Sequence, residues 1–156
     1  MKKKILVGIV IVLVLIQFIQ PAHNDGPAAT AQDITHTVAV PDTIASILKT
    51  SCYDCHSNHT TYPWYNNISP VNWWLNDHVE EGKRELNFST FNAYTFKKKA
   101  KRLEQTATLV KKNEMPLPSY LWIHGDAKLS DAQKEMMYAW AKTAREQVMQ
   151  DSLQQQ

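Results

Sequence analysis

The run Cys52-Tyr53-Asp54-Cys55-His56 constrains this chain more than any other part of its sequence. The chain of 156 residues contains two cysteines, and both lie in this run. Two thiols three positions apart, followed directly by a histidine, form the Cys-x-x-Cys-His pattern of covalent haem attachment. Each thiol can form a thioether with the porphyrin, and the histidine can offer a ring nitrogen to the iron. The run therefore predicts one covalent haem c, held by Cys52 and Cys55, with His56 as an axial ligand of the iron.

Other interpretations of this run fit the surrounding sequence less well. A thioredoxin-like redox pair is expected within a βαβ pattern, which the flanking residues lack. A structural zinc site requires a second pair of ligands at short spacing, and His59 and His78 are not arranged as such a pair. A disulfide between Cys52 and Cys55 would close a small, strained loop. An exported interaction domain without haem would require the run to be accidental.

Residues 1–20 are predicted to be a signal or anchor segment. The basic residues Lys2 to Lys4 precede an apolar run from Ile5 to Ile19, which is the order of an export signal. A helix of that length rises about 22 Å, less than the roughly 30 Å hydrocarbon core of a bilayer. The best cleavage site, Ala29-Thr30-Ala31, lies far beyond the apolar run. We predict an N-terminal anchor that holds the chain on the periplasmic side of the membrane, with a cleaved, soluble periplasmic form as the alternative.

The remaining chain divides into three predicted parts. Residues 21–40 contain two prolines and little apolar periodicity, which predicts a flexible tether. Residues 41–150 form the predicted domain, and residues 151–156 a disordered tail. Of the 17 basic residues, 14 remain outside Lys2 to Lys4, against 15 acidic residues. The exported part is therefore close to neutral, and nothing in this balance suggests a nucleic-acid partner.

The domain is predicted to be all-α, because apolar residues recur at helical spacing and no strand alternation is present. A capping box, Ser130-Asp131-Ala132-Gln133, opens the last helix. Ser69-Pro70 is an expected helix start, and Gly82 the expected stop of that helix. The apolar stripes are Ile44, Ile47 and Leu48; Trp73, Trp74, Leu75 and Val79; Phe96, Ala100, Leu103, Ala107 and Val110; and Met136, Met137, Trp140 and Ala144. A helix leads into the Cys-x-x-Cys-His run, a loop-rich middle and a methionine beside proline follow, and an amphipathic helix ends the chain. These parts in this order predict a small cytochrome c-like helical domain around one haem.

Met115 is the predicted sixth ligand of the iron. It lies in a loop 59 residues after His56, next to Pro116, and the prolines of this loop restrict its backbone. A thioether sulfur favours reduced iron, so a His/Met pair would raise the reduction potential. His78 shares a helical face with Trp74 and is the alternative sixth ligand, which would give bis-histidine ligation.

Four aromatic residues close to the haem run are predicted to form the wall of a haem pocket: Tyr62, Trp64, Tyr65 and Trp74. Rings over the macrocycle would exclude water and raise the reduction potential. A small domain also uses large rings to bury enough apolar surface, so a place in the core is the alternative interpretation for the same residues.

Several runs in addition to Cys-x-x-Cys-His carry a resemblance to a known family. The chain resembles the small haem-binding domain of exported cytochrome c-like proteins common in Bacteroidetes, over roughly residues 40–144. The runs are Ser51 to Asn58, Tyr62-Pro63-Trp64-Tyr65, Ile68-Ser69-Pro70-Val71, His78 to Gly82, Leu86 to Ser89, Glu114-Met115-Pro116 and Leu129 to Ala132. The resemblance implies covalent haem at Cys52, Cys55 and His56 and leaves the physiological role open.

The predicted function is single-electron transfer outside the cytoplasm, between larger redox partner proteins at the membrane surface. An electron carrier needs no catalytic residues, and the sequence shows no acid/base constellation of the peroxidase kind. The alternative is a haem-based sensor or small peroxidase-like protein, in which the sixth iron site is open or displaceable.

Overall fold

The computed structural model describes residues 1–154, which form an all-helical protein. No β-strand occurs in these residues, and their isolated antiparallel bridge joins Asp25 and His59. The α-helices are α1 (Lys2–Ile16), α2 (Asp42–Ser51), α3 (Tyr53–His56), α4 (Val71–Glu85), α5 (Phe96–Lys111), α6 (Pro118–Leu121) and α7 (Asp131–Gln154). Short 3₁₀-helices cover Ile34–His36, Trp64–Asn67, Phe88–Ala93 and Gly125–Ala127. The all-α prediction is confirmed for this part of the chain.

The largest helix–helix contact in the described chain is between α5 and α7, which run antiparallel. Each helix buries one stripe of small and apolar residues, which allows the two backbones to approach closely. Glu104 on α5 pairs with Lys142 and Arg145 on α7 at 3.0 and 3.2 Å, and Lys111 pairs with Glu135. The buried stripes are Ala100, Leu103, Ala107 and Val110 on α5, and Met137, Trp140, Ala141, Ala144 and Val148 on α7.

Side-chain caps define the starts of the two long core helices. The capping box of α7 forms both expected bonds: Ser130 N donates to Gln133 Oε1 at 2.8 Å, and Gln133 N donates to Ser130 Oγ at 3.2 Å. Thr95 Oγ1 accepts from the backbone of Lys98 at the start of α5. Ser69 does not cap α4; Pro70 occupies that position without a side-chain bond.

The segment 21–40 differs from the flexible tether that its composition predicts. Ile34 and Val38 are buried in the main core together with α2 and α7. Asn24 is also buried, and its Nδ2 donates to Ser57 O and Thr60 Oγ1 at 3.0 and 2.9 Å. Two apolar residues four positions apart are too few to show a period, but full burial of each contributes about 1.5–3 kcal/mol. The core therefore begins well before residue 41.

Helix α1 contains residues 5–16 of the predicted apolar run, and its apolar side chains up to Leu15 are exposed. Within residues 1–154, no helix combines the length and the apolar composition that crossing a membrane requires. At the other end of the chain, α7 continues to Gln154, so residues 151–154 of the predicted disordered tail are helical because they extend the last core helix. Residues 155–156 of that predicted tail lie outside the described part.

Candidate functional site

The Cys-x-x-Cys-His run lies where α2 ends and the short α3 begins. Cys52 breaks the helix with φ −131° and ψ −38°, and its carbonyl accepts from the backbone of Cys55 and of His56 at 3.2 and 2.9 Å. This single helical turn places the two cysteines on one face, three positions apart. Both thiols are free and half-buried.

His56 is oriented by two backbone carbonyls. Its Nδ1 lies 3.0 Å from Gly82 O and 2.9 Å from Leu86 O, at the C-terminal end of α4. Two acceptors require Nδ1 to carry the proton, so Nε2 keeps its lone pair. Burial lowers the pKa of His56, which favours this neutral ring. The arrangement is that of a metal-ligating histidine whose second nitrogen is held by the protein.

Gly82 is a contact point between α4 and α3, where the sequence predicted a helix stop. The helix continues to Glu85. A Cβ at position 82 would lie 2.5 Å from the carbonyl oxygen of Cys55, a distance that real Cβ atoms do not adopt. Only glycine allows α4 to approach close enough for its carbonyls to reach His56.

Two adjacent cavities of about 160 and 300 Å³ lie beside the run, and together they are called the central cavity here. Both are lined by Ser51, Cys52, His56, Glu85, Met115 and Pro116. The smaller part adds Leu86, Phe88, Arg102, Gln105, Thr106, Leu109 and Val110. The larger part adds Asp54, Cys55, His78, Glu81, Gly82, Leu117 and Tyr120. One space thus brings together both thiols, His56 and both predicted sixth ligands.

Met115 reaches the central cavity through the C-terminal cap of α5. Asn113 has φ 60°, and its N–H donates to Val110 O at 3.1 Å while Glu114 N donates to Leu109 O at 2.9 Å. These bonds form a Schellman motif with asparagine in the left-handed position. The backbone of Met115 also bonds Leu109 O, at 3.2 Å, so the chain turns sharply at this point. The cap, which the sequence analysis missed, positions Met115.

His78 lines the larger part of the cavity from α4. Its Nδ1 donates to Trp74 O at 2.8 Å, and its ring packs at 4.5 Å from the ring of Trp74. The Nε2 atom of His78 is therefore the nitrogen left for another partner. Both His78 and Met115 remain predictions as sixth ligand.

The predicted aromatic wall does not line the central cavity. Trp64 and Trp74 are 76 and 47% exposed. Tyr62 accepts from Asn24 N at 2.8 Å and packs on the His23 ring, away from the cavity. Tyr65 lies near His124. Proximity in sequence misled the prediction, because the chain between His56 and α4 folds away from the cavity and towards residues 17–24.

The aromatic residues that do line the cavity are Phe88 and Tyr120, which sequence reasoning missed. Phe88 is buried, and its ring packs 6.3 Å from the His56 ring. Tyr120 follows the Met115 loop and donates from its hydroxyl to Asp54 Oδ2 at 2.8 Å. Burial and the Asp54 carboxylate raise the pKa of Tyr120. This bond links the Met115 loop directly to the Cys-x-x-Cys-His run.

The comparison with known families identifies the cofactor of the chain. Residues 11–143 match the family model of a haem-binding domain. The chain belongs to this haem-binding domain family. Haem is therefore its cofactor. The central cavity of this haem-binding domain is lined by the cysteine, histidine and methionine side chains that could hold a haem. Neither the curated proteins nor the solved structures gave a match to the chain.

Burial keeps the two thiols of the haem-binding domain in their neutral form. Burial raises the pKa of Cys52 to about 12 and that of Cys55 to about 11. Both sulfurs are therefore protonated and neutral at neutral pH. A neutral thioether leaves no charge in this apolar space, whereas a thiolate would.

The cation Arg102 lies at the edge of the central cavity. Arg102 on α5 donates to Glu85 Oε2 at 2.6 Å and to Gln105 Oε1 at 2.8 Å. Its Nε is buried and has no hydrogen-bond partner among residues 1–154. A buried donor of this kind is costly unless a ligand supplies the acceptor. Arg102 thus fits an anionic group of the cofactor.

Proposed function

We propose that this haem-binding domain is an exported, monohaem c-type electron carrier. The observation that carries the proposal is the orientation of His56: two backbone carbonyls hold its Nδ1–H, in a cavity that both cysteines and Met115 also line. When bound, the haem iron supplies reversible one-electron chemistry. Cys52 and Cys55 would each add sulfur and hydrogen across one vinyl group of the porphyrin, and His56 Nε2 would bind the iron.

Met115 is proposed as the second axial ligand. Its sulfur is a soft donor that favours ferrous iron, and the Schellman motif at Asn113 limits its freedom to move away. His56 and Met115, both held by the protein, would limit the rearrangement that accompanies a change in the oxidation state of the iron. This is the property that distinguishes an electron carrier from a catalyst.

The lining of the central cavity supports a dry environment for the cofactor. Leu86, Phe88 and Leu109 cover one side, and Leu117 covers the other. Low polarity around a haem disfavours the additional positive charge of ferric iron, which raises the reduction potential. Arg102 is proposed to bind a haem propionate through its free Nε, with Gln105 and Glu85 orienting the guanidinium.

An open-site sensor or small peroxidase-like protein is the second candidate. The space of about 300 Å³ beside Met115 favours it, because an exogenous ligand could enter there if Met115 were displaced. His78 on the wall of this space could then hydrogen-bond that ligand. The two candidates differ in whether the wild-type iron binds carbon monoxide readily.

The location proposed for the domain is the periplasmic side of the membrane, with α1 as its attachment. The Lys2 to Lys4 sequence before an apolar helix supports export, and c-type haem is attached outside the cytoplasm. Redox partner proteins at the membrane surface would supply and accept the electrons. A cleaved signal and a soluble periplasmic protein remain the alternative.

The test is the state of the haem in protein purified from a host competent in cytochrome c maturation. We expect colour that stays with the polypeptide in a denaturing gel and survives acidic organic extraction. The double substitution Cys52→Ala and Cys55→Ala should abolish it. Loss of all haem from the wild-type protein on extraction would refute covalent attachment, and ready binding of carbon monoxide by the reduced wild type would favour the open-site candidate.

A further inference from the structure

Hydrogen bonds hold the end of helix α1 directly against the domain. Gln17 accepts from Ser69 N at 2.9 Å and donates to Ser69 O at 3.0 Å, so one side chain binds both backbone groups of that residue. Trp73 Nε1 donates to Ile19 O at 2.7 Å, and Asn72 Nδ2 donates to Gln20. These contacts fix the end of α1 against the start of α4. Any surface that takes up α1 must therefore come close to this face of the domain.

The face beside that junction carries exposed apolar side chains. Trp64 is 76% exposed, Trp74 47%, Ile68 43% and Val71 38%. Val71 and Trp74 lie one turn apart on α4, and the 3₁₀-helix that contains Trp64 packs against α4. We call these four residues the Trp64–Trp74 face. Phe18 and Ile19 lie at the junction, between α1 and the domain. They are 82 and 62% exposed.

We propose that the Trp64–Trp74 face lies in the interfacial region of a lipid bilayer when α1 is inserted. Tryptophan is enriched where membrane meets water, because its ring is apolar and its indole N–H is polar. The exposed apolar side chains of α1 are followed by exposed Phe18 and Ile19, and the bonds of Gln17 and Ile19 hold this end of α1 beside the start of α4. This argues for one continuous lipid contact rather than a separate protein partner. The proposal rests on the membrane location proposed above and is independent of the haem chemistry.

The length of α1 supports the same geometry. Its 15 residues rise about 22 Å, which leaves no spacer to hold the domain away from the bilayer. Insertion of α1 would draw the junction to the level of the headgroups, where Trp64 and Trp74 would exchange water for the interface. Because Trp74 packs on His78, the larger part of the central cavity would then lie close to the membrane surface.

The experiment uses the full-length holoprotein in vesicles of phosphatidylcholine and phosphatidylglycerol. The photoreactive residue p-benzoylphenylalanine replaces Trp64 in one variant, Trp74 in a second, and Met136 in a control. Met136 is 43% exposed on α7, which matches the 47% of Trp74, and it takes no part in the hydrogen bonds that hold the end of α1 against α4. The haem colour of each variant verifies that it has folded, and mass spectrometry identifies the adducts after irradiation.

We expect phospholipid adducts at positions 64 and 74 and no phospholipid adducts at position 136. Vesicle-bound protein without lipid adducts at 64 and 74 would overturn the docking of this face and leave the membrane location standing. Adducts to a second copy of the chain would overturn it in favour of a dimer interface. Protein that does not bind the vesicles at all would overturn both the docking and the membrane location. The proposal of covalent haem attachment would be unaffected by that result.

Discussion

At the residue scale, the site depends on His56 and on the glycine that lets its partners approach. The imidazole is held by carbonyls from α4, so its tautomer is set by the helix contact and not by a neighbouring side chain. Iron affinity and haem orientation should therefore respond to substitutions in α4 that change its distance from His56.

Gly82→Ala tests this contact. The new methyl group would meet Cys55 O at 2.5 Å, and neither backbone can yield easily. We expect a net loss of about 1–3 kcal/mol in the free energy of unfolding, measured by denaturant titration, together with less haem incorporated per chain. Gly125→Ala is the control, because nothing lies within 4 Å of its Cβ position. Equal stability of both variants would contradict the proposed role of Gly82.

Met115→Ala tests the sixth ligand. Loss of the thioether should remove the weak near-infrared sulfur-to-iron band of the oxidised protein, lower the reduction potential and allow cyanide or carbon monoxide to bind. Met136→Ala, on an exposed position of α7, should change none of these. If Met115→Ala leaves the spectrum unchanged while His78→Ala alters it, the iron has bis-histidine ligation and the assignment of Met115 is wrong.

At the element scale, the loop between α5 and α6 is positioned from both ends. The Schellman motif at Asn113 turns the chain at its start, and the bond from Tyr120 to Asp54 ties its far end to α3. The two constraints come from different helices, so they hold Met115 in the central cavity even though its segment has little regular structure.

Asn113→Val tests the first of these constraints. A β-branched residue in the left-handed region costs about 1–2 kcal/mol, so we expect that loss in unfolding free energy. The near-infrared band of the Met115 ligand should also weaken, because the loop can relieve the strain by shifting. Asn113→Gly should preserve both, since glycine adopts this backbone freely. A normal band in Asn113→Val would show that the cap does not position Met115.

At the scale of the whole molecule, the domain includes the segment that leads into it. Residues 21–40 supply buried side chains to the core and polar groups to the loops around the Cys-x-x-Cys-His run. Residues 21–40, the core and the loops around the Cys-x-x-Cys-His run are thus parts of one packed unit, with no flexible joint at residue 40.

Ile34→Ala tests this extended boundary. Ile34 is fully buried, so its truncation should cost about 2–5 kcal/mol in unfolding free energy. Ile123→Ala, at a position 66% exposed, should leave stability nearly unchanged. Thermal or denaturant unfolding of both variants measures the difference in stability. An unaltered unfolding midpoint for Ile34→Ala would support the prediction that residues 21–40 are a flexible tether.

The helices and the haem cofactor could be predicted from local patterns in the chain. Long amphipathic stripes such as Leu103 to Val110, and the capping box at Ser130, depend on contacts within a few residues, so their pattern is visible along the chain. The haem run is local for the same reason, because its chemistry requires two thiols and a histidine within one helical turn.

The surroundings of that run depend on how distant segments of the chain pack together. The carbonyls of Gly82 and Leu86, the ring of Phe88 and the guanidinium of Arg102 come from segments 26 to 46 residues away from His56, and no local pattern reports such distances. For this reason the prediction of a pocket wall is wrong for the aromatic residues that follow the run closely in sequence, which do not line the cavity: Tyr62, Trp64, Tyr65 and Trp74. Burial depends on which helices meet, and that is set by the packing of the whole chain, where a single glycine can decide how closely two backbones approach.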